Sequence, residues 1–333
     1  MKHIASPFFI DFRGGNMQII KFGGSSLLNQ NAIDNTLSII VSLRKPLLVV
    51  ISAIGRKGFP FATDTLIESI GEKKISPKEY DRLLSLGEIY ASIYLSNLCK
   101  KKGIKSYAAS YLEIGMLSNE EYGNGRIDGI NSSCLDNLLK KYEVVIIPGF
   151  VAHTGDNEII TLGRNTSDYS CVLLASVFKE KNVYLYKDVR GIYPTSINSI
   201  NNKIRFYERL SYDEMISLCS IGFKVVSKKA VEEAKNSNID IVIVHQNTRQ
   251  EGSIIGNIES KNKLLGFNIV YDEVFIASII PDELFKELEL LFKTQHIFIK
   301  EYKIYVNYLT IKINVNQMMM VKKLIYNLYL DKM

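Results

Sequence analysis

VVIIPGFVAHTGDNEIITLGRNTSDYSC, residues 144–171, is the stretch on which the reading of the fold turns. Its opening VVII is a continuous apolar run, the pattern of a strand buried on both faces in a parallel sheet. Pro148-Gly149 ends that strand, a polar loop follows, and IITL adds a second short apolar piece. Gly163-Arg164-Asn165-Thr166-Ser167-Asp168 then stands directly ahead of the helix-like run YSCVLLASVF. Thr166, Ser167 and Asp168 are good N-cap residues for that helix. Free backbone N–H groups at a helix start attract anions. An Arg and an Asp at the same turn add one charge suited to a carboxylate or phosphate and one suited to a cation.

Upstream, residues 18–22 read as a short strand with Lys21 near its end, followed by Gly23, Gly24, Ser25 and Ser26. Glycines after a strand let the backbone approach a phosphate, and a lysine beside them supplies a compact positive charge. The spacing is not that of a Walker A loop, and an ordinary tight turn is the plain alternative. Residues 31–43 suit a helix. Residues 46–51 read as a buried strand that ends in small residues from Ser52 onward, and Thr63 is placed to cap a helix entered at Leu66. Residues 76–99 read as a helix. Gly87 inside it costs about 1 kcal/mol against Ala, so a close backbone neighbour is expected. Glu88 beside it would by itself be taken for a solvated helix residue. Residues 105–109 suit a strand, 122–129 a turn-rich connection and 132–142 a helix.

Downstream, residues 182–186 form another buried strand, which runs into Lys187, Asp188 and on to Tyr193. Residues 210–218 suit a helix capped by Ser211, and Lys224 follows it, where a lysine is ordinarily just a solvated charge. Residues 239–244 read as a further core strand. Such alternation of strands and helices gives a parallel sheet with helices on both faces. Binding sites then fall at the carboxyl ends of the strands, where Lys21, Ser52 and Asp188 lie.

Taken in order, KFGGSS, SAIGRKGFPFATDTL, SLGE, PGF…TLGRNTSDYSC, KDVRGIY and GFKVV resemble the motifs of aspartokinases, in the amino-acid-kinase superfamily. The resemblance covers about residues 17–255. It departs at Asn165 and Thr166, where the family usually has two glycines, at Lys187, where it has a threonine, and after Pro194, where its DPR tail is absent. The fold it implies is an α/β amino-acid-kinase-like sandwich with a mainly parallel central sheet and helices on both faces. The activity it implies is transfer of the ATP γ-phosphoryl group to the side-chain carboxylate of L-aspartate. The product, 4-phospho-L-aspartate, leads towards lysine, threonine, methionine and diaminopimelate. Residue by residue, it implies Lys21 and Lys224 at the phosphates, with Gly23, Gly24 and Ser25 beside Lys21. Asp168 would organise the lysine and the Mg²⁺ side, and Arg164 would bind the substrate carboxylate. Glu88 would take the amino group, Ser52 and Thr63 would complete that pocket, and Asp188 and Tyr193 would line the nucleotide. Lys187 or Arg190 would stand in at the phosphates for the arginine of the missing tail. A non-catalytic homologue that binds ligand as a regulatory partner is the alternative.

Beyond residue 250 the pattern changes to strand, helix, two strands and helix: strand-like 267–280, helix 282–294, strands 296–305 and 309–315, helix 317–330. Residues 263–333 thus resemble one small C-terminal α+β ACT-like module, where aspartokinases usually carry two, and the resemblance implies a homodimer formed through it. Residues 1–16 do not read as part of the fold. They are read either as untranslated sequence ahead of a start at Met17 or as a disordered tail. The chain has 333 residues, 47% hydrophobic and 23% charged, with a net charge of +6. That is ordinary for a soluble globular protein, and its scattered lysines read as solvated surface rather than a nucleic-acid groove. Four separated cysteines without CxxC spacing suit a reduced, cytoplasmic protein. The four histidines show no ligand spacing, so no structural metal is expected, and no apolar run reaches membrane-spanning length.

Overall fold

Apolar-rich runs become strands buried at every residue: β1 (Gln18–Phe22, QIIKF, which also buries Gln18 and Lys21), and β2 (Leu47–Ile51, LLVVI). Along the chain follow β3 (Ser106–Ala108), β4 (Met116–Ser118), β5 (Ile127–Ile130), β6 (Val144–Pro148), β7 (Val151–His153), β8 (Ile159–Thr161) and β9 (Asn182–Lys187). After them come β10 (Arg209–Ser211), β11 (Asp240–His245), β12 (Glu251–Gly256), β13 (Gly266–Val270), β14 (Glu273–Ala277), β15 (Ile299–Ile304) and β16 (Tyr308–Ile313). The α-helices are α1 (Gln30–Ser42), α2 (Thr63–Ser69), α3 (Pro77–Lys101), α4 (Tyr111–Ile114), α5 (Ser133–Lys141), α6 (Ser167–Phe178), α7 (Tyr212–Ser220), α8 (Lys228–Ser237), α9 (Pro281–Thr294) and α10 (Met318–Asp331). This computed structural model describes residues 17–71, 74–195, 205–259 and 263–331. The leader expected at 1–16 lies outside the described residues.

Packing divides the described chain into two units, 17–190 with Asn236–Glu251, and Gly191–Lys235 with the residues from Gly252 onward. In the first unit six strands of the sheet follow one another in the order β11-β9-β1-β2-β6-β3. Every pairing among them is parallel. A sheet covered on both faces needs apolar side chains on both faces, which is why the patterns of β1, β2 and β6 do not alternate. The register aligns Phe22 with Tyr186 and with Ile51, and Ile51 with Pro148. The residues one step further, Gly23, Lys187, Ser52 and Gly149, therefore form a row at the carboxyl edge. A smaller sheet of the same unit runs β5-β4-β7-β8. Its β5 overlaps the segment 122–129 read as turns from sequence.

Helix ends follow local chemistry. Ser76 and Glu79 form a capping box at the start of α3, and Ser211 and Glu214 form another at α7. Two capping expectations are corrected. Thr166 occupies the N-cap of α6, but its hydroxyl donates to the Gly163 carbonyl at 2.6 Å instead of capping. The N-cap of α2 is Ala62, with Thr63 the first helical residue. Gly87 has the close neighbour expected of it: a Cβ there would stand 2.3 Å from the Phe61 carbonyl oxygen and 2.7 Å from the Ala53 Cβ.

In the second unit β10 pairs with β12 in parallel, and β13-β14-β16-β15 form an antiparallel sheet. Leu284, Leu288 and Phe292 of α9, and Val321 and Ile325 of α10, share a core with Ile276, Leu309 and Ile311 of that sheet. The segment 267–280, read as one strand, is a hairpin that turns at Tyr271, whose φ is 55°. The order is therefore strand-strand-helix-strand-strand-helix.

Candidate active site

The carboxyl edge of the first unit's sheet gathers the charged groups. Lys21 is buried near the end of β1, and its Nζ lies 3.0 Å from Asp168 Oδ1. Lys187, the last residue of β9, places its Nζ 3.0 Å and 2.9 Å from the two oxygens of the same carboxylate. Asp168 stands in the first turn of α6, a helix whose sides are apolar because it is buried. Burial by itself pushes the Asp168 carboxyl up, but Lys187 and Lys21 outweigh it and hold the group at about 2. Burial and the neighbouring Lys21 charge lower Lys187 to about 8, against the pull of Asp168.

The start of α6 is set close to the sheet. A Cβ on Gly149 would stand 2.5 Å from the Ser167 Cβ, so only glycine lets the helix approach β6 this closely. The Ser52 hydroxyl donates to the Ser167 hydroxyl at 3.0 Å. Asn165 has a φ of 62°, a left-handed conformation that asparagine adopts more readily than most residues. The loop therefore keeps its turn with asparagine where the aspartokinase motif has glycine. Gly24 is equally constrained, since a Cβ would lie 2.4 Å from the Ala53 carbonyl oxygen. Gly23 is open, its nearest neighbour being Lys21 Nζ at 3.9 Å. Gly24 and Ser25 open a short 3-10 helix directly after it.

Glu88, on α3 beside Gly87, is 2% exposed. Its Oε1 accepts the Ala53 N–H at 3.0 Å, and among the described residues its Oε2 has no partner. Burial pushes its carboxyl up to about 8, against the opposing pull of the Ala53 N–H and the positive charge of Lys21. Its helix position alone reads as solvated, and the resemblance gives it the substrate's amino group; close packing at Gly87 carries it inside. Arg164 is half exposed and pairs with Asp64 of α2, a partner that sequence reasoning missed. Thr63 is half-buried at the start of α2. Asp188 is exposed, 3.6 Å from Arg56. Asp81 was also missed. It is fully buried on α3, and its Oδ2 accepts the Gly123 and Thr161 N–H groups while Oδ1 accepts the Thr161 hydroxyl.

Tyr193 and Lys224 belong to the second unit. Tyr193 packs against that unit's core, with an edge contact to Phe206. Lys224 is exposed in the loop between α7 and α8. Among the described residues no group of three or more His, Cys, Asp or Glu side chains is arranged to hold a metal, and no helix is long and apolar enough to cross a membrane.

Comparison with known proteins bears on the family and the fold. The profile of the amino acid kinase family matches residues 16–245. The aspartokinase of Helicobacter pylori (strain ATCC 700392 / 26695) is 33% identical over 240 residues, which cover 71% of this chain and 58% of that protein. Aspartokinase 2 of Bacillus subtilis (strain 168) is 32% identical over 241 residues, 71% of this chain and 57% of its own length. The chain thus spans about three-fifths of the length of these curated relatives. In fold, the crystal structure of E. coli aspartokinase III in complex with aspartate and ADP matches with a TM-score of 0.64 at 18% identity, covering 90% of this chain and 78% of that one. From its motifs, its sheet and the match over residues 16–245, the chain belongs to the amino acid kinase family.

Proposed function

We propose that this protein is an aspartate kinase that transfers the γ-phosphoryl group of ATP to the side-chain carboxylate of L-aspartate, giving ADP and 4-phospho-L-aspartate. The observation that carries the reading is the pairing of a buried cationic cluster with a buried, half-unpartnered carboxylate. Asp168 holds Lys21 and Lys187, and Glu88 lies near enough for the Lys21 charge to act on it. The nucleophile is the substrate's own carboxylate, so no protein nucleophile is required. The site's task is to align two anions and neutralise charge at the transferring group. Lys21 supplies that charge, with the N–H groups of Gly23, Gly24 and Ser25 beside it. Asp168 positions the lysine. Glu88 Oε2 receives the substrate ammonium. Arg164 leaves Asp64 for the substrate's α-carboxylate, a planar fork matched to a planar anion. Ser52 and Thr63 complete that pocket.

Lys187 and Asp188 are assigned to ATP in the first unit, and Tyr193 and Lys224 keep the nucleotide roles that the resemblance implies. Mg²⁺, which prefers few carboxylates and several phosphate oxygens, fits a site with this donor set by arriving on the nucleotide. It would neutralise phosphate charge there, with no protein ligand assigned to it. We also assign residues 17–255 to catalysis and 263–333 to a single ACT-like dimerisation module. The protein is read as a cytoplasmic homodimer with no nucleic-acid or membrane partner. The experiment is hydroxylamine trapping of the acyl phosphate, with L-aspartate against L-glutamate. Aspartate-specific hydroxamate that disappears in Lys21→Ala is the expected result. No product, with nucleotide still bound by calorimetry, would replace the kinase with a ligand-binding regulatory homologue.

A further inference from the structure

The cluster at the sheet edge holds two ammonium groups on one carboxylate, a surplus of one positive charge. Lys21 and Asp168 are buried, at 8% and 5% exposed, and Lys187 is largely buried at 14%. Buried charge persists only where it is compensated, and Asp168 compensates one of the two cations. Among the described residues it is the one ion-pair partner of each lysine. Each ammonium has three donors, so donors remain for an incoming anion. The register places Lys187 one step beyond the Phe22–Tyr186 pair, alongside Gly23. The Lys21 ammonium faces that same glycine, across the open space where a side chain would stand. Both cations thus border the turn that opens the short 3-10 helix at Gly24 and Ser25.

We propose that Lys187 is a catalytic residue that binds the transferring phosphoryl group jointly with Lys21, rather than a holder of the phosphates that stay on the nucleotide. This rests on the kinase reading given above. In the transfer, the bond from phosphorus to the acceptor oxygen forms as the bond to the β-phosphate oxygen breaks. The electron pair leaves with ADP and no proton is moved. Negative charge spreads over the three equatorial oxygens of the passing group. Two cations held apart by one carboxylate flank that charge, and Asp168 keeps them from repelling each other out of position.

The test compares wild type with Lys187→Met, Lys187→Thr and Lys187→Arg. Affinity for Mg·ADP and for Mg·AMP-PNP is measured by calorimetry, and hydroxamate formation gives kcat. The Met and Thr variants are expected to leave ADP affinity within about threefold, weaken AMP-PNP by about tenfold or more, and lower kcat by about 100-fold. Arg, which keeps the charge, restores part of the AMP-PNP affinity. Equal losses for both nucleotides, or a kcat within about threefold of wild type, overturn the proposal. So does a wild type that binds AMP-PNP no tighter than ADP. Met and Thr leave Asp168 paired with Lys21, a neutral pair, so thermal melting should show an intact fold. If those variants fail to fold, the AMP-PNP to ADP ratio of Lys187→Arg decides: an unchanged ratio overturns the proposal. A wild type that prefers AMP-PNP yet yields no aspartyl hydroxamate overturns the aspartate-kinase reading alone, and the affinity ratios of the variants still decide the role of Lys187.

Discussion

Glu88 has one oxygen on the Ala53 N–H and the other unbonded among the described residues, and burial raises its pKa from 4.5 to about 8. The folded protein therefore keeps a proton that the unfolded chain releases. Its contribution to stability is fully present below about pH 4.5 and is lost progressively as pH rises to about 8. Over that window wild type should lose stability relative to Glu88→Gln, which cannot ionise, by about 5 kcal/mol at most, at roughly 1.4 per pKa unit. Urea midpoints of both proteins at pH values across the window check this, and parallel curves would reject it. The same shift affects binding. Below pH 8 an aspartate ammonium arriving at Glu88 expels the proton, so calorimetry in buffers of different ionisation enthalpy should show proton release in wild type and less of it in the variant.

At the scale of elements, α3 is the hub. Its capping box fixes the start, Gly87 lets it approach the Phe61 carbonyl and the Ala53 Cβ, and Asp81 ties it to β8 and to the turn at Gly123. Removing Asp81 leaves two backbone N–H groups and a hydroxyl unsatisfied, each costing about 1–3 kcal/mol where water cannot reach. Asp81→Ala should therefore destabilise by about 3 kcal/mol or more, read as a lowered urea midpoint with unchanged slope. A change under about 1 kcal/mol would mean that water replaces the carboxylate. β8 pairs with β7 at each of its three residues, and Asp81 adds its link to α3.

At the scale of the whole molecule, self-association tests the homodimer. The antiparallel sheet of the second unit ends at β15, and an edge strand offers unpaired backbone groups to another chain. Around it Phe298 is 68% and Val306 93% exposed. Sedimentation velocity should give about twice the chain mass, and Phe298→Asp with Val306→Asp should shift it to one. A wild-type monomer at every concentration removes the dimer, and a dimer unaffected by the two charges moves the interface elsewhere.

By itself the amino-acid sequence determined the strands β1, β2, β6, β9 and β11, because segments buried on both faces must be mostly apolar. It also determined the capped start of α7 at Ser211, the glycine turn after Lys21 and the aspartokinase-like order of motifs. Such signals are local, written in backbone conformation and residue spacing. Tertiary structure alone decided that Lys187 joins Asp168 and that Arg164 pairs with Asp64. Lys187 meets Asp168 because parallel pairing brings the end of β9 beside the end of β1, under the start of α6. Arg164 meets Asp64, 100 residues away in the chain. Glu88 is buried because a missing Cβ at position 87 lets α3 close on the loop at Phe61. A charge finds its counter-charge through register and close packing, and neither exists until the strands are side by side.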